Sequence, residues 1–136
     1  MRFLRNISVL VLLFIGLNAA AQTYRFETSG VSMSIKNAKG KWSPYSDFKD
    51  AKIVVTLDTN KDRIVVYSEV VQLYTILGYD DPKTSEEGSI DTFQCANVDG
   101  DKCVLAIRSL KGTDVKQLYI YEDSRVLIYN MKYVKL

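Results

Sequence analysis

Beyond residue 22 the hydrophobic positions come in short runs, broken every ~10 residues by turn formers, and almost none repeats with the i, i+3, i+4 spacing of an amphipathic helix. The pattern predicts an all-β chain with strands at Tyr24–Glu27, Val31–Asn37, Lys52–Asp58, Arg63–Val70, Gln72–Leu77, Ile90–Asn97, Lys102–Ser109, Val115–Glu122 and Val126–Val134. Short strands at even spacing specify a sandwich or a barrel. Because neighbours are joined by short hairpins, the expected topology is an antiparallel meander of about eight strands, with a small barrel favoured over a sandwich.

Face matching tests two of the hairpins. Closing the loop Thr59-Asn60-Lys61-Asp62 with Asp58 opposite Arg63 sets Leu57 against Ile64, Val55 against Val66 and Ile53 against Ser68. One side of the pair is then apolar and the other mixed, as a half-exposed sheet requires. Around Asp99-Gly100, a two-residue turn would mix the faces. A three-residue loop of Val98, Asp99 and Gly100, with Gly100 left-handed in a bulge, instead pairs Phe93 with Leu105 and Cys95 with Cys103.

These are the two cysteines of the chain. Directly opposed strand positions are close enough for a disulfide, so a cross-strand bridge is expected, with a free or redox-active pair as the alternative. A zinc site would be short of ligands, since the chain has no histidine. The same stretch fails as a calcium loop, with Cys95 and Ala106 where acidic ligands belong.

The first 22 residues belong to a different grammar. Arg2 and Arg5 precede an apolar run from Ile7 to Leu17 and the small residues Ala19-Ala20-Ala21, the layout of a cleaved signal peptide. The run is shorter than the roughly 20 residues that span a bilayer, and no cysteine follows for lipid attachment. A periplasmic or secreted product is expected, with residues 23–136 as a single all-β domain. Two of the 18 basic residues leave with the signal, so 16 remain against 16 acidic ones. Nucleic acid is therefore not an expected partner, nor is a membrane span after cleavage.

The absence of histidine also removes the commonest general base and the usual activator of serine or cysteine nucleophiles. Ser46-Asp47-Phe48-Lys49 has the letters of S-x-x-K, but no S-D-N element accompanies it, and Lys111-Gly112-Thr113 is K-T-G out of order. Both read as surface loops. Asp80, Asp81, Glu86 and Glu87 in GYDDPKTSEEG could supply the two acids of a hydrolase, but neighbouring acids rarely frame one bond, and the segment reads as a solvated loop. No catalytic residue, metal or cofactor is expected.

Tyrosine is in surplus, with nine copies. Tyr119 and Tyr121 share one face of Gln117-Leu118-Tyr119-Ile120-Tyr121, and the strand after it also lacks a polar side. These rings form either a structural collar or an aromatic wall for a ligand, together with Tyr67. Trp42 and Tyr45 in GKWSPY pose the same choice between plugging a barrel end and binding.

Gly40-Lys41-Trp42 resembles the G-x-W of the lipocalin and wider calycin barrels, and the resemblance implies an antiparallel barrel that can hold a ligand. The chain as a whole is similar to small exported bacterial β-proteins of unknown function through Trp42, the Cys95/Cys103 hairpin and the Gln117–Tyr121 strand; that likeness implies no activity. The reading that results is a monomeric, non-enzymatic binding module for an unknown protein or glycan, with candidate residues Tyr119, Tyr121, Tyr67, Trp42 and Tyr45. A carrier of a small molecule or glycan inside the barrel is the second reading, and an acid-pair hydrolase the third.

Overall fold

The computed structural model describes residues 23–135; the expected signal peptide lies outside the described residues. Ten strands follow in order: β1 (Thr23–Ile35), β2 (Lys49–Asp50), β3 (Val54–Asp58), β4 (Arg63–Val66), β5 (Gln72–Tyr79), β6 (Lys83–Ser85), β7 (Gly88–Ala96), β8 (Lys102–Leu110), β9 (Val115–Tyr121) and β10 (Arg125–Val134). Every pairing is antiparallel, in the ring β1-β3-β4-β5-β7-β8-β9-β10, and β10 returns to β1. The fold is thus a closed eight-stranded meander barrel, with β2 and β6 outside the ring. Closure leaves no unpaired edge along the ring itself.

Both hairpin registers derived from the sequence are present. Asp58 pairs with Arg63, Leu57 with Ile64 and Val55 with Val66, although β4 ends before Ser68 can meet Ile53. The turn is held by Asp58, whose Oδ1 accepts the amides of Asn60 and Lys61. Phe93 pairs with Leu105 and Cys95 with Cys103. Gly100 has φ 85°, which a side-chain-bearing residue there would adopt only with strain. Other boundaries move. The two first expected strands fuse into the 13-residue β1, kinked where its register with β10 shifts between Thr28 and Gly30. The acidic loop GYDDPKTSEEG is not loop throughout, because β6 forms inside it and pairs with the start of β7.

The interior is apolar and closely filled. Val55, Ile64, Val66, Leu105, Leu118 and Ile120 are fully inaccessible, and Phe26, Leu57, Phe93, Ile107, Leu127 and Met131 belong to the same cluster. The other inward candidate, Ile53, packs against it half-buried. An eight-stranded barrel is wide enough either for packed side chains or for one small ligand; here large aliphatic and aromatic residues occupy that width.

One end is closed by a polar plug. Arg125 enters from β10 and donates through Nη2 to Gln72 Oε1 on β5, 2.9 Å away and diametrically across the ring. Its Nε donates to Glu122 in a very short contact, and the Tyr74 hydroxyl shares the same Gln72 oxygen at 2.9 Å. Trp42 and Tyr45 were candidates for such a plug, and neither provides it. Both are about half exposed, at 45% and 52%.

The predicted disulfide is corrected. Cys95 and Cys103 face each other inside the barrel, but both are free thiols. Cys95 Sγ turns along its own strand toward the Phe93 carbonyl, 3.6 Å away, instead of across to its neighbour. Burial pushes the Cys95 thiol up to about 12 and Cys103 to about 11, the second also raised by Glu122 and Asp101. Thiolates, not thiols, react. Native protein at pH 8 should therefore alkylate at least about a hundredfold more slowly than free cysteine, and two thiols should appear on denaturation without reductant. Finding none in the denatured protein would mean that the opposed pair had closed.

Candidate functional site

The stretch from Lys36 to Ile53 determines which part of the outer surface is apolar. After β1 the chain turns tightly around Asn37, whose side chain accepts the amides of Lys39 and Lys41, and Lys36 bridges to Trp42. It then runs back along the second half of β1 as a strap. Pro44 cannot donate to a ladder, so serines take over much of the pairing. Ser43 and Ser46 side chains accept the amides of Ile35 and Met33, while Ser34 and Ser32 hydroxyls donate to the Ser43 and Ser46 carbonyls, both at 2.6 Å. This consumes Ser46, the serine of the S-x-x-K letters, in anchoring. Phe48 lies over Gly30, where an added Cβ would meet its ring at 3.6 Å and the Lys49 carbonyl at 3.2 Å.

Beside the strap, the outer faces of β8, β9 and β10 carry Val104, Ala106, Tyr119, Tyr121, Val126 and Ile128 in register. Ala106 and Val126 are buried although they point away from the barrel interior. Tyr119 and Tyr121 stack, with ring centroids 5.9 Å apart and planes 16° from parallel. The Tyr119 hydroxyl donates to Gln117, and Gln117 donates to Asn130, forming a polar ladder at the lower margin. Burial raises the Tyr121 phenol, with Tyr119 and Tyr45 adding to the effect.

Tyr121 also walls a groove of about 610 Å³ crossing the outer surface from β5 to β9. Leu77, Gln94, Lys102, Val104, Glu122 and Asp123 are among the residues that line it. Leu77 is 60% exposed, in the segment where the β5–β7 register shifts and the strand bends. The groove lies within the size range of ligand sites but is open to solvent along its length.

Of the five aromatic candidates, the structure stacks Tyr119 and Tyr121 and leaves Tyr45 near enough to act on the Tyr121 phenol. Trp42 lies on the strap that carries Tyr45. Tyr67 is separated: it follows β4, which the ring places on the opposite side from β9. Leu77, Val104, Gln94 and Lys102 were not anticipated, because their proximity depends on strand order around the ring. The acidic candidates do not converge on a metal or a scissile bond. Asp80 accepts from Gln94 at 3.0 Å and Glu87 pairs with Arg108 at 3.6 Å. Among the described residues no group of three or more potential ligands could hold a metal. Comparison with protein-family models, curated proteins and solved structures gives no match for this chain.

Proposed function

We propose that this is an exported, monomeric, non-enzymatic binding module that captures a glycan chain on its outer surface. The observation that supports it best is the placement of Tyr121, which belongs both to the stacked tyrosine pair and to the wall of the open groove. An aromatic face offers a platform to the C–H side of a sugar ring, and Gln94, Lys102 and Asp123 offer hydrogen-bond donors and acceptors beside it. An open groove admits a chain, whereas the packed interior argues against the carrier reading.

The test is a glycan array probed with wild type and with the double replacement Tyr119→Ser and Tyr121→Ser. Wild type should capture a defined set of glycans, and the variant should bind at least tenfold more weakly, about 1.4 kcal/mol, while unfolding cooperatively. The carrier reading wins if apolar fluorescent ligands bind one to one, survive the double replacement and are lost when Val66 is enlarged to Phe.

A further inference from the structure

The barrel end opposite the Arg125 plug is built as an asymmetric mouth. The first residues of β7 run beyond the end of β5 and pair with β6 on one side and β8 on the other, forming a lip. Register determines what the lip shows the mouth. Counting from the buried Phe93, Ile107 and Leu118, the inward positions are Ser89 and Asp91 on β7, Ser109 on β8 and Lys116 on β9. Across from them stand Tyr24 and Phe26 of β1 and Tyr133 of β10. Tyr133 meets the two at ring centroid distances of 6.2 and 5.8 Å.

The two charges of the lip are poorly matched to the protein. Asp91 is half-buried, and no described residue donates a hydrogen bond to it. Lys116 Nζ donates to Ser109 Oγ at 3.0 Å, which uses one of its three protons. Lys116 is near enough to act on the Asp91 carboxyl, but the pair stops short of ion-pair distance. Partly desolvated opposite charges that do not close into a direct ion pair are costly, and mouths of barrels are common ligand sites.

We propose that this mouth binds a small zwitterion with an aromatic or large apolar side chain, of amino-acid type. The ligand's ammonium group would meet Asp91, its carboxylate would meet Lys116 with help from the serine hydroxyls, and its side chain would lie on the Tyr24 and Tyr133 rings, behind which Phe26 is buried. A neutral polyol would leave both charges uncompensated, and a singly charged ligand would leave one. The zwitterion satisfies both with charge-assisted hydrogen bonds. This site is separate from the outer groove and does not depend on it.

The experiment is a titration of the intact protein followed by amide chemical shifts, with L-phenylalanine, 2-phenylethylamine, 3-phenylpropanoate and glucose as probes. Phenylalanine should saturate shifts at Asp91, Ser109 and Lys116, and each half-analogue should bind at least tenfold more weakly. Asp91→Asn should erase the preference over 3-phenylpropanoate, and Lys116→Met the preference over 2-phenylethylamine. The Tyr119→Ser, Tyr121→Ser variant should bind phenylalanine as wild type does, which separates this result from the fate of the glycan site. The proposal is overturned if phenylalanine produces no saturable shift at the lip, if glucose binds as well, or if the half-analogues match it. The analogue series on wild type decides the matter even if a lip variant fails to fold.

Discussion

Gly88→Ala is expected to be among the most damaging single changes outside the interior, costing about 4 kcal/mol. Gly88 has φ +143°, a conformation that residues with side chains rarely adopt, and an added Cβ would sit 1.9 Å from the Ser109 carbonyl oxygen and 3.1 Å from the Lys111 amide. Neither obstacle is a flexible side chain, so the backbone of β7 or β8 must move. Gly88 pairs with Ser85 on one side and Leu110 on the other, so the displacement falls on the lip. Chemical denaturation should show the loss, and hydrogen exchange should place it first at residues 83–90. A variant with wild-type stability and exchange would mean that the lip is not built as described.

Leu105→Ala should cost about 3 kcal/mol, within the range for fully buried leucines. Leu105 is wholly inaccessible, pairs with Phe93 and Ile120, and belongs to the layer where side chains from all sides of the ring meet. Because the surrounding strands are closed into a ring, they can collapse little into the vacated space, and the penalty should include a cavity contribution. Denaturant unfolding with an unchanged m-value would measure it. A loss under about 1 kcal/mol would contradict the close packing, since a loosely filled site has less to lose.

The parts of the fold that were legible from sequence are those where two faces had to agree. The β3–β4 and β7–β8 registers followed from keeping Leu57, Val55, Phe93 and Leu105 on one side, and Gly100 took the left-handed turn that this register needs. Where both faces are apolar the rule loses its force. No face rule selects the β9–β10 register, in which Tyr121 pairs with Val126. The strap was invisible because Pro44 interrupts its ladder and serine hydroxyls supply part of the pairing beside the Ser43 and Ser46 amides, a mixture that carries no periodicity. Leu77 and Gln94 reach Tyr121 only through the order of strands around the ring, a long-range property. Asp91 and Lys116 could have been found by extending the parity of Phe93 and Leu118 two residues outward, but charges at strand ends ordinarily read as solvated. The cysteine pair shows the limit of register arguments: the positions were correct, while the side-chain direction that leaves the thiols free was not encoded in spacing.

A filled barrel leaves the outer groove and the mouth as the places where a ligand could be held. Methyl spectra recorded under xenon pressure test this most directly, since xenon enters dry apolar cavities. Wild type should show no saturable shifts at Val55, Val66, Leu105, Leu118 or Ile120, while Leu105→Ala should show them around the vacated position. Saturable xenon shifts at those methyls in the wild-type protein would instead reveal an interior with room for a ligand.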